Sequence, residues 1–210
     1  MLSQIDSDEA AARYSMRCGC AEQGRAGRLL DRSQRVCNLG SPGIDDYREA
    51  SWRAAFRAYH ASMTREEINI EAFLRLIRFA EHQSDRDDVY FTLYGGRQRF
   101  TDTSRHPNKA ITAWGRTSTP AGAYQILYGT WKEAKDRGVV VDFSKRSQDK
   151  LARAKLQSRG ALSYIQMGQF EHAVPLLRKE WTSLPGAAQS RMTMAQGREL
   201  FDKYVAELAK

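Results

Sequence analysis

The chain has 210 residues, of which 28% are charged, and carries a formal net charge of +8. That length exceeds one typical domain without providing for two full ones. No segment approaches the roughly 18 apolar residues of a membrane span, and the N-terminus lacks the basic-then-apolar order of a secretory signal. We therefore expect no stable membrane insertion and no export by the general secretory route. The positive charge favours an anionic partner, either nucleic acid or an acidic polymer such as a bacterial wall.

Several binding classes lack their usual motifs. The sequence contains no glycine-rich phosphate loop, no zinc-finger Cys/His spacing and no RNA-binding aromatic motif, so nucleic acid is the weaker of the two partners. Three cysteines provide neither an even pairing nor four metal ligands, and the histidines are widely scattered. We expect no metal, no cofactor and no disulfide.

The first 62 residues differ in composition from the rest. They contain nine Arg and no Lys, whereas residues 63–210 contain fifteen Arg and nine Lys. Residues 13–43 have few large apolar side chains to offset their ordering entropy, and we expect them to be disordered. Residues 45–61 place aromatic side chains at helical spacing and predict a short amphipathic helix. We expect that helix to dock on its own domain rather than on a membrane.

The change in composition suggests a boundary at Met63. Our hypothesis is that the functional unit, residues 63–210, begins there and that residues 1–62 are an extension or the product of a misassigned upstream start. N-terminal sequencing of the native protein tests this, because a mature chain that retains Cys18 and Cys37 contradicts the misassignment.

One glutamate, Glu81, lies at the end of a predicted helix. Apolar residues precede it at the spacing of one buried helix face: Phe73, Leu74, Leu76, Ile77 and Ala80. The carbonyl end of the helix and the neighbouring apolar side chains both disfavour a negative charge there. We therefore expect Glu81 to hold its proton longer than in water, as a general acid must.

Two short β-prone segments, Val89 to Tyr94 and Arg97 to Phe100, flank Gly95-Gly96 and predict a hairpin with a primed turn. Asp102 follows. Its side chain either closes a turn or serves a site, and the sequence favours neither.

A second predicted helix begins with Thr119 as cap and Pro120 at its first position, and stops near Gly138. Residues 114–119 before it read as a polar loop. The small residues Ala121-Gly122-Ala123 would let a polymer approach free backbone amides, although tight helix packing explains them equally well.

The remainder is predicted to be helical. Ser144 caps a helix to about Ser158, two short helices follow near 161–167 and 169–181, and Thr193 with Gln196 forms a capping box for the last helix. Trp181 to Pro185 either lines a cleft or, as we favour, places Trp181 in the core. The whole is a mainly helical α+β domain.

Motifs along residues 63–210 resemble those of the phage lambda endolysin family, in the family's order. They are Ala80-Glu81, Tyr94-Gly95-Gly96, Phe100-Thr101-Asp102, His106-Pro107, Ser118 to Gln125, Phe143-Ser144, Ser147-Gln148-Asp149, Arg159 to Leu162 and Trp181 to Ala187. Departures occur too: His82-Gln83-Ser84 replaces the family's Gly-Thr after the glutamate, Pro120 replaces a glycine and Ala123 an arginine.

The resemblance implies a lysozyme-like fold with a small β-hairpin beside the cleft, and lytic transglycosylase activity on bacterial peptidoglycan. It implies that Glu81 protonates the bond after N-acetylmuramic acid and then takes the proton of the sugar's own 6-hydroxyl. Ala121, Gly122, Tyr124 and Gln125 would form the substrate-binding floor, with Asp102 nearby. The resemblance further implies a monomer of phage or prophage origin, held in the host cytoplasm until a holin-type pore releases it to the wall.

Two alternatives remain open from the sequence. A hydrolytic muramidase would use a second carboxylate. The candidates are Asp85, Asp87, Asp88 and Asp102, of which this alternative would use Asp102 or Asp88. A noncatalytic module would bind glycan or nucleic acid without cutting it.

Overall fold

The computed structural model describes residues 63–113 and 115–210, so the predicted extension and its helix at 45–61 lie outside the described residues. Within them the chain is mainly helical, with a small two-stranded antiparallel sheet, as predicted. The elements are α1 (Arg65–His82), a 3-10 helix (Asp87–Phe91), β1 (Ile111–Ala113), β2 (Arg116–Ser118), α2 (Tyr128–Asp136), α3 (Lys145–Ser158), α4 (Leu162–Gln166), α5 (Phe170–Leu177) and α6 (Met194–Leu208).

The long helix α1 runs through the core. Its N-cap Thr64 accepts a hydrogen bond from the backbone N–H of Glu67, and two glutamates lie in its first turn. The predicted apolar face is buried, with Phe73, Leu76 and Ile77 fully inaccessible. The helix packs against α6, α4 and α3. It is therefore the scaffold that positions Glu81.

The predicted hairpin around Gly95-Gly96 is only partly right. Its first half folds as the 3-10 helix, and the pairing that remains is an isolated bridge between Thr92 and Arg99. Val89 and Tyr90 are consecutive and both buried, which a strand with alternating faces cannot provide but a helical turn can.

The regular hairpin lies instead at β1 and β2, where Thr112 pairs with Thr117. The prediction of a loop throughout 114–119 is therefore wrong for Arg116–Ser118. The side chains of β2 are all polar and mostly exposed, so this strand lacks the apolar alternation by which strands are recognised.

The helix predicted from Thr119-Pro120 begins later, at Tyr128, with Leu127 as its N-cap residue. Residues 121–126 form a tight loop, which we call the floor loop, in which Ala121 and Ile126 exchange both backbone hydrogen bonds. That closed pair is incompatible with a continuing helix. The predicted end is confirmed, because Gly138 follows the C-cap with φ +70°.

The C-terminal half follows the predicted helices. Ser144 caps α3, and Thr193 and Gln196 form the predicted capping box at α6. Three aromatic rings from α1, α5 and α6 pack together in the core, with centroid separations of 5.5 to 6.0 Å: Phe73, Phe170 and Phe201. Among the described helices, none combines the length and apolar character needed to span a bilayer.

Candidate active site

Glu81 is the second-last residue of α1 and is half-buried. Its Oε1 accepts a hydrogen bond of 2.5 Å from the hydroxyl of Ser183. Burial raises the pKa of Glu81, and the Ser183 hydrogen bond opposes that rise without cancelling it. The carboxyl group therefore keeps its proton at a pH where an exposed glutamate is ionised, which confirms the direction predicted from its apolar neighbours.

The residue after Glu81 connects α1 to the floor loop. His82 Nε2 lies 3.2 Å from the carbonyl oxygens of both Gly122 and Ala123. Two carbonyl acceptors require Nε2 to carry a hydrogen, which fixes the tautomer of the neutral ring. Burial lowers the pKa of His82, although the two hydrogen bonds act in the opposite direction. Where the lambda pattern has Gly-Thr, this chain thus places a side chain that holds the loop.

The end of α1 is compatible with that substitution. The helix stops at Gln83, whose backbone adopts the left-handed conformation with φ 55° and donates its N–H to Phe79 O at 2.7 Å. Its side-chain amide also reaches the carbonyls of Phe79 and Ala80. The departure from Gly-Thr therefore leaves an intact helix terminus.

The amides of the floor loop are already hydrogen-bonded within the chain. Ala121 N–H donates to Ile126 O at 3.0 Å, and Gly122 N–H donates to Thr92 O at 2.8 Å. The prediction that a polymer meets free amides here is therefore wrong, because the loop turns back on itself and brings acceptors to them.

Buried partners complete the floor loop. Ala123 N–H donates to Gln148 Oε1 at 2.9 Å, and Gln148 is fully buried. Ala121 and Tyr124 are 0% and 1% exposed, and Gly122 is also buried, so the side chains of Ala121 and Tyr124 lie in the interior. The side chain of Gln125 remains partly accessible, with its Nε2 donating to Gly122 O at 3.0 Å.

Ser183 belongs to segment 181–189, which contacts Glu81 through the Ser183 hydroxyl. Trp181 is buried, as predicted, and its Nε1–H donates to Tyr124 O at 3.1 Å. Leu184 N–H closes a turn onto Trp181 O at 3.2 Å. The sequence argument missed Ser183 itself; its only signal was its place two residues after Trp181 in a family motif.

The other carboxylates considered as a second catalytic group are engaged elsewhere. Asp85 pairs with Arg75 at 2.5 Å, Asp87 with Lys145 at 2.7 Å, Asp88 with Arg99 at 2.8 Å, and Asp102 accepts from the hydroxyl of Ser104 at 2.6 Å. These hydrogen bonds lower the pKa of Asp88 and of Asp102. Asp102 therefore closes a turn, with a side chain that is 60% exposed.

A buried polar network contacts the floor loop through the hydroxyl of Tyr124. Arg78 lies one turn before Glu81 on α1 and donates to the hydroxyls of Tyr90 and Tyr124 at 3.1 and 2.8 Å, and to Glu71 at 3.0 Å. Both tyrosines donate to Asp149 Oδ1 at 2.6 Å. Burial raises the pKa of both tyrosines, so they remain donors. An arginine on an otherwise apolar helix face was the signal that could have revealed this network.

Within the described ranges, no group of three or more His, Cys, Asp or Glu side chains is arranged to hold a metal ion.

The chain is similar to known proteins of one family. The profile of the Endolysin family matches residues 71–210. The chain is 37% identical over 129 residues to the endolysin of Escherichia phage lambda and 38% identical over 133 residues to that of Escherichia phage P2. These matches cover 58% and 57% of this chain and 81% of each relative.

Two solved structures share the fold. Bacteriophage lambda lysozyme complexed with a chitohexasaccharide has a TM-score of 0.60 at 32% identity, covering 65% of this chain and 94% of that one. Another structure of lysozyme from bacteriophage lambda has a TM-score of 0.54 at 31% identity, covering 67% and 92%. The chain therefore belongs to the endolysin family and has the lysozyme-like fold of its phage lambda member.

Proposed function

We propose that this protein is a phage or prophage endolysin that lyses the host by cutting peptidoglycan glycan strands between N-acetylmuramic acid and N-acetylglucosamine. The reaction is lytic transglycosylation, with Glu81 as acid and then as base. The observation that carries the proposal is a half-buried glutamate whose pKa is raised by burial and whose hydrogen-bond partner is a serine rather than a second carboxylate. The glycan complex of phage lambda lysozyme supports a sugar polymer as substrate.

The proposed reaction returns its proton within one turnover. Protonated Glu81 donates to the glycosidic oxygen while the bond from that oxygen to the anomeric carbon breaks, so the departing sugar leaves with a free hydroxyl. The Glu81 carboxylate then accepts the proton of the 6-hydroxyl as its oxygen bonds to the anomeric carbon. The product is a 1,6-anhydro sugar, no water is consumed, and Glu81 is protonated again.

The alternative is a hydrolytic muramidase with a second carboxylate. Asp88 and Asp102 are the candidates for that carboxylate, and the side chains of both are exposed to solvent. The ion pair with Arg99 explains the position of Asp88, and the turn closed onto Ser104 explains that of Asp102, so neither position requires a catalytic role. This favours the reaction that uses a single carboxylate.

The partners follow from the same proposal. The net charge of +8 favours encounter with glycan strands whose peptides carry free carboxylates. We further propose that the monomer accumulates in the host cytoplasm and reaches the periplasmic wall through a separate holin-type pore. Of the residues suggested for substrate contact, Gln125 and Asp102 are proposed to face the glycan, while Ala121, Gly122 and Tyr124 are proposed to shape the floor beneath it.

Mass spectrometry of digested sacculi tests the proposal. Wild-type protein should release anhydro-muropeptides, which are one water lighter than hydrolysis products. Glu81→Gln should lower the rate by roughly 100-fold or more, since the amide cannot donate or accept the catalytic proton. Asp88→Asn and Asp102→Asn serve as matched carboxylate-to-amide controls and should leave the same products.

Reducing-end products that disappear in Asp88→Asn or Asp102→Asn would establish the hydrolytic alternative. Tight binding to sacculi with no released fragments from the wild-type protein would indicate a noncatalytic module. Undiminished anhydro products from Glu81→Gln would remove both the site and the mechanism.

A further inference from the structure

The hydroxyl of Ser183 touches one particular oxygen of Glu81. The serine Oγ is 2.5 Å from Oε1 and donates to it. In the part of the chain that the structure describes, this is the hydrogen bond that the Glu81 carboxyl group makes with another side chain. A serine hydroxyl has one hydrogen to donate, so its direction distinguishes the two carboxyl oxygens.

Ser183 is held in place by contacts on both sides. Trp181 is tied to the floor loop through Tyr124 O, and Leu184 is fully buried. Gln189 N–H donates to Thr182 O at 2.9 Å, a backbone hydrogen bond in which the Thr182 side chain takes no part. The segment is therefore a closed turn that presents Ser183 at a fixed place.

We propose that Ser183 is a positioning residue: it keeps Glu81 Oε1 as a hydrogen-bond acceptor and so leaves the transferable proton on Oε2. The inference rests on the proposed role of Glu81 as acid and base. An oxygen that accepts from Ser183 behaves as the carbonyl oxygen of the neutral acid, and the proton then occupies the other oxygen. Oε2 is thereby the oxygen that donates to the glycosidic bond.

The same contact serves the second half of the reaction. A hydroxyl donates a stronger hydrogen bond to a carboxylate than to a neutral acid, so Ser183 favours the ionised state against the effect of burial. Removing the hydroxyl leaves burial unopposed, and the pKa of Glu81 should rise further.

Ionisable groups on the surrounding elements have other partners. On α1, His82 faces floor-loop carbonyls and Arg78 faces two tyrosines; from the floor loop, Tyr124 bonds to Arg78 and Asp149. Asp85, Asp87 and Asp88 pair with Arg75, Lys145 and Arg99, while Arg86 lies in the same connection. Segment 181–189 carries no ionisable side chain. The causes acting on Glu81 are thus burial and Ser183.

The test compares Ser183→Thr with Ser183→Val. The threonine and valine side chains have the same shape, but only threonine carries a hydroxyl. Ser183→Ala removes the hydroxyl without adding a methyl group. Two readouts are taken in the full chain: the pH profile of kcat/KM on sacculi, and a carbon-13 NMR titration of the glutamate carboxyls, with Glu81→Gln identifying the Glu81 signal. Thr182→Ala controls for general disturbance of the turn.

Loss of the hydroxyl should move the high-pH limb of activity and the NMR midpoint of Glu81 upward together. The rate at the wild-type optimum should fall roughly tenfold or more, the size of a lost charge-assisted hydrogen bond. Ser183→Thr should restore both readouts, and Thr182→Ala should change neither. That pattern supports the inference.

If Ser183→Val and Ser183→Ala titrate like the wild type while Glu81→Gln is inactive, the inference is wrong and the proposed function stands. A drop in activity with an unmoved titration would reduce Ser183 to a structural contact and would equally overturn it. Full activity of Glu81→Gln would remove the proposed function and this inference together.

Discussion

Glu81 is partly accessible to solvent and yet has a raised pKa, and both properties follow from its position at the end of a helix. The last turn of α1 brings the carboxyl group out of the core, while the packed elements around it remove most of its water. A fully exposed glutamate would be ionised at neutral pH, and a fully buried one could not reach a polymer. The position at the rim of the core therefore combines the two properties that a general acid requires.

This burial has a consequence for stability as well as for activity. The folded protein holds the Glu81 proton more tightly than the unfolded chain does, because burial raises the pKa of Glu81. The stabilisation of the folded state by this proton is therefore fully present below the pKa that Glu81 has in the unfolded chain. It is lost as pH rises through the pKa that Glu81 has in the folded protein. Glu81→Gln removes the ionisation but keeps the carbonyl that accepts from Ser183. We expect the variant to melt at a higher temperature than the wild type at neutral and higher pH.

Thermal melts from pH 3 to pH 8 check this expectation. The difference between variant and wild type should shrink toward zero on the acidic side, where Glu81 is neutral in both folded and unfolded chains. Exposed Glu133→Gln, from an i,i+4 pair on α2, is the matched control and should show no such pH-dependent gain. A constant difference at every pH would contradict the argument.

At the scale of elements, the floor loop depends on the contact between a glycine and a glutamine. Gly122 has φ +76°, and a Cβ on it would lie 2.1 Å from Gln148 Oε1. Gln148 in turn donates through Nε2 to Tyr90 O and Phe143 O at 3.1 and 3.0 Å. The glutamine therefore joins the floor loop, the 3-10 helix and the residue before the cap of α3, and it provides partners for their buried backbone groups.

We predict that Gly122→Ala destabilises the fold by about 2 kcal/mol or more, since strain from positive φ adds to the collision with Gln148. Gly129→Ala is the matched control: it lies in α2 with nothing within 4 Å of its added Cβ, and the change should be neutral or stabilising. Urea denaturation of both variants measures the difference. Equal stabilities would show that the loop can open without cost.

Across the whole molecule, Arg78 connects parts of the chain that are distant in sequence. It links α1 to the 3-10 helix through Tyr90 and to the floor loop through Tyr124, and both tyrosines reach Asp149 on α3. Its Nε is buried and has no hydrogen-bond partner among residues 63–113 and 115–210, so the network is not fully satisfied within these ranges. The remaining contacts have to compensate for that loss.

Replacing Arg78 by Met should cost roughly 3–5 kcal/mol, because it removes the partner of buried hydroxyl groups and of Glu71. Arg137→Met breaks an exposed pair whose side chains are 72% and 70% accessible, and should change stability by about 0.5 kcal/mol or less. Chemical denaturation of the two arginine variants provides the comparison. A small effect at Arg78 would show that the network contributes little.

Local patterns in the sequence were sufficient for most of the helices and for the position of Glu81 at the end of α1. The apolar spacing of α1, the caps at Ser144 and Thr193 and the capping-box partner Gln196 depend on residues within a few positions of one another, and each was predicted. Glu81 was found by the same short-range argument. The boundary at Met63 and the nature of residues 1–62 stay predictions.

Tertiary structure alone decided the rest, because the deciding contacts join residues far apart in the chain. The Thr119-Pro120 signal for a helix start gave way to the floor loop, whose amides bond to Thr92 and Gln148. Ser183 reaches Glu81 across 102 positions of sequence. Short-range propensity carries no information about such pairings. The sequence by itself therefore predicted that Glu81 ends a helix among apolar neighbours, and only the fold brought Ser183 to its carboxyl group.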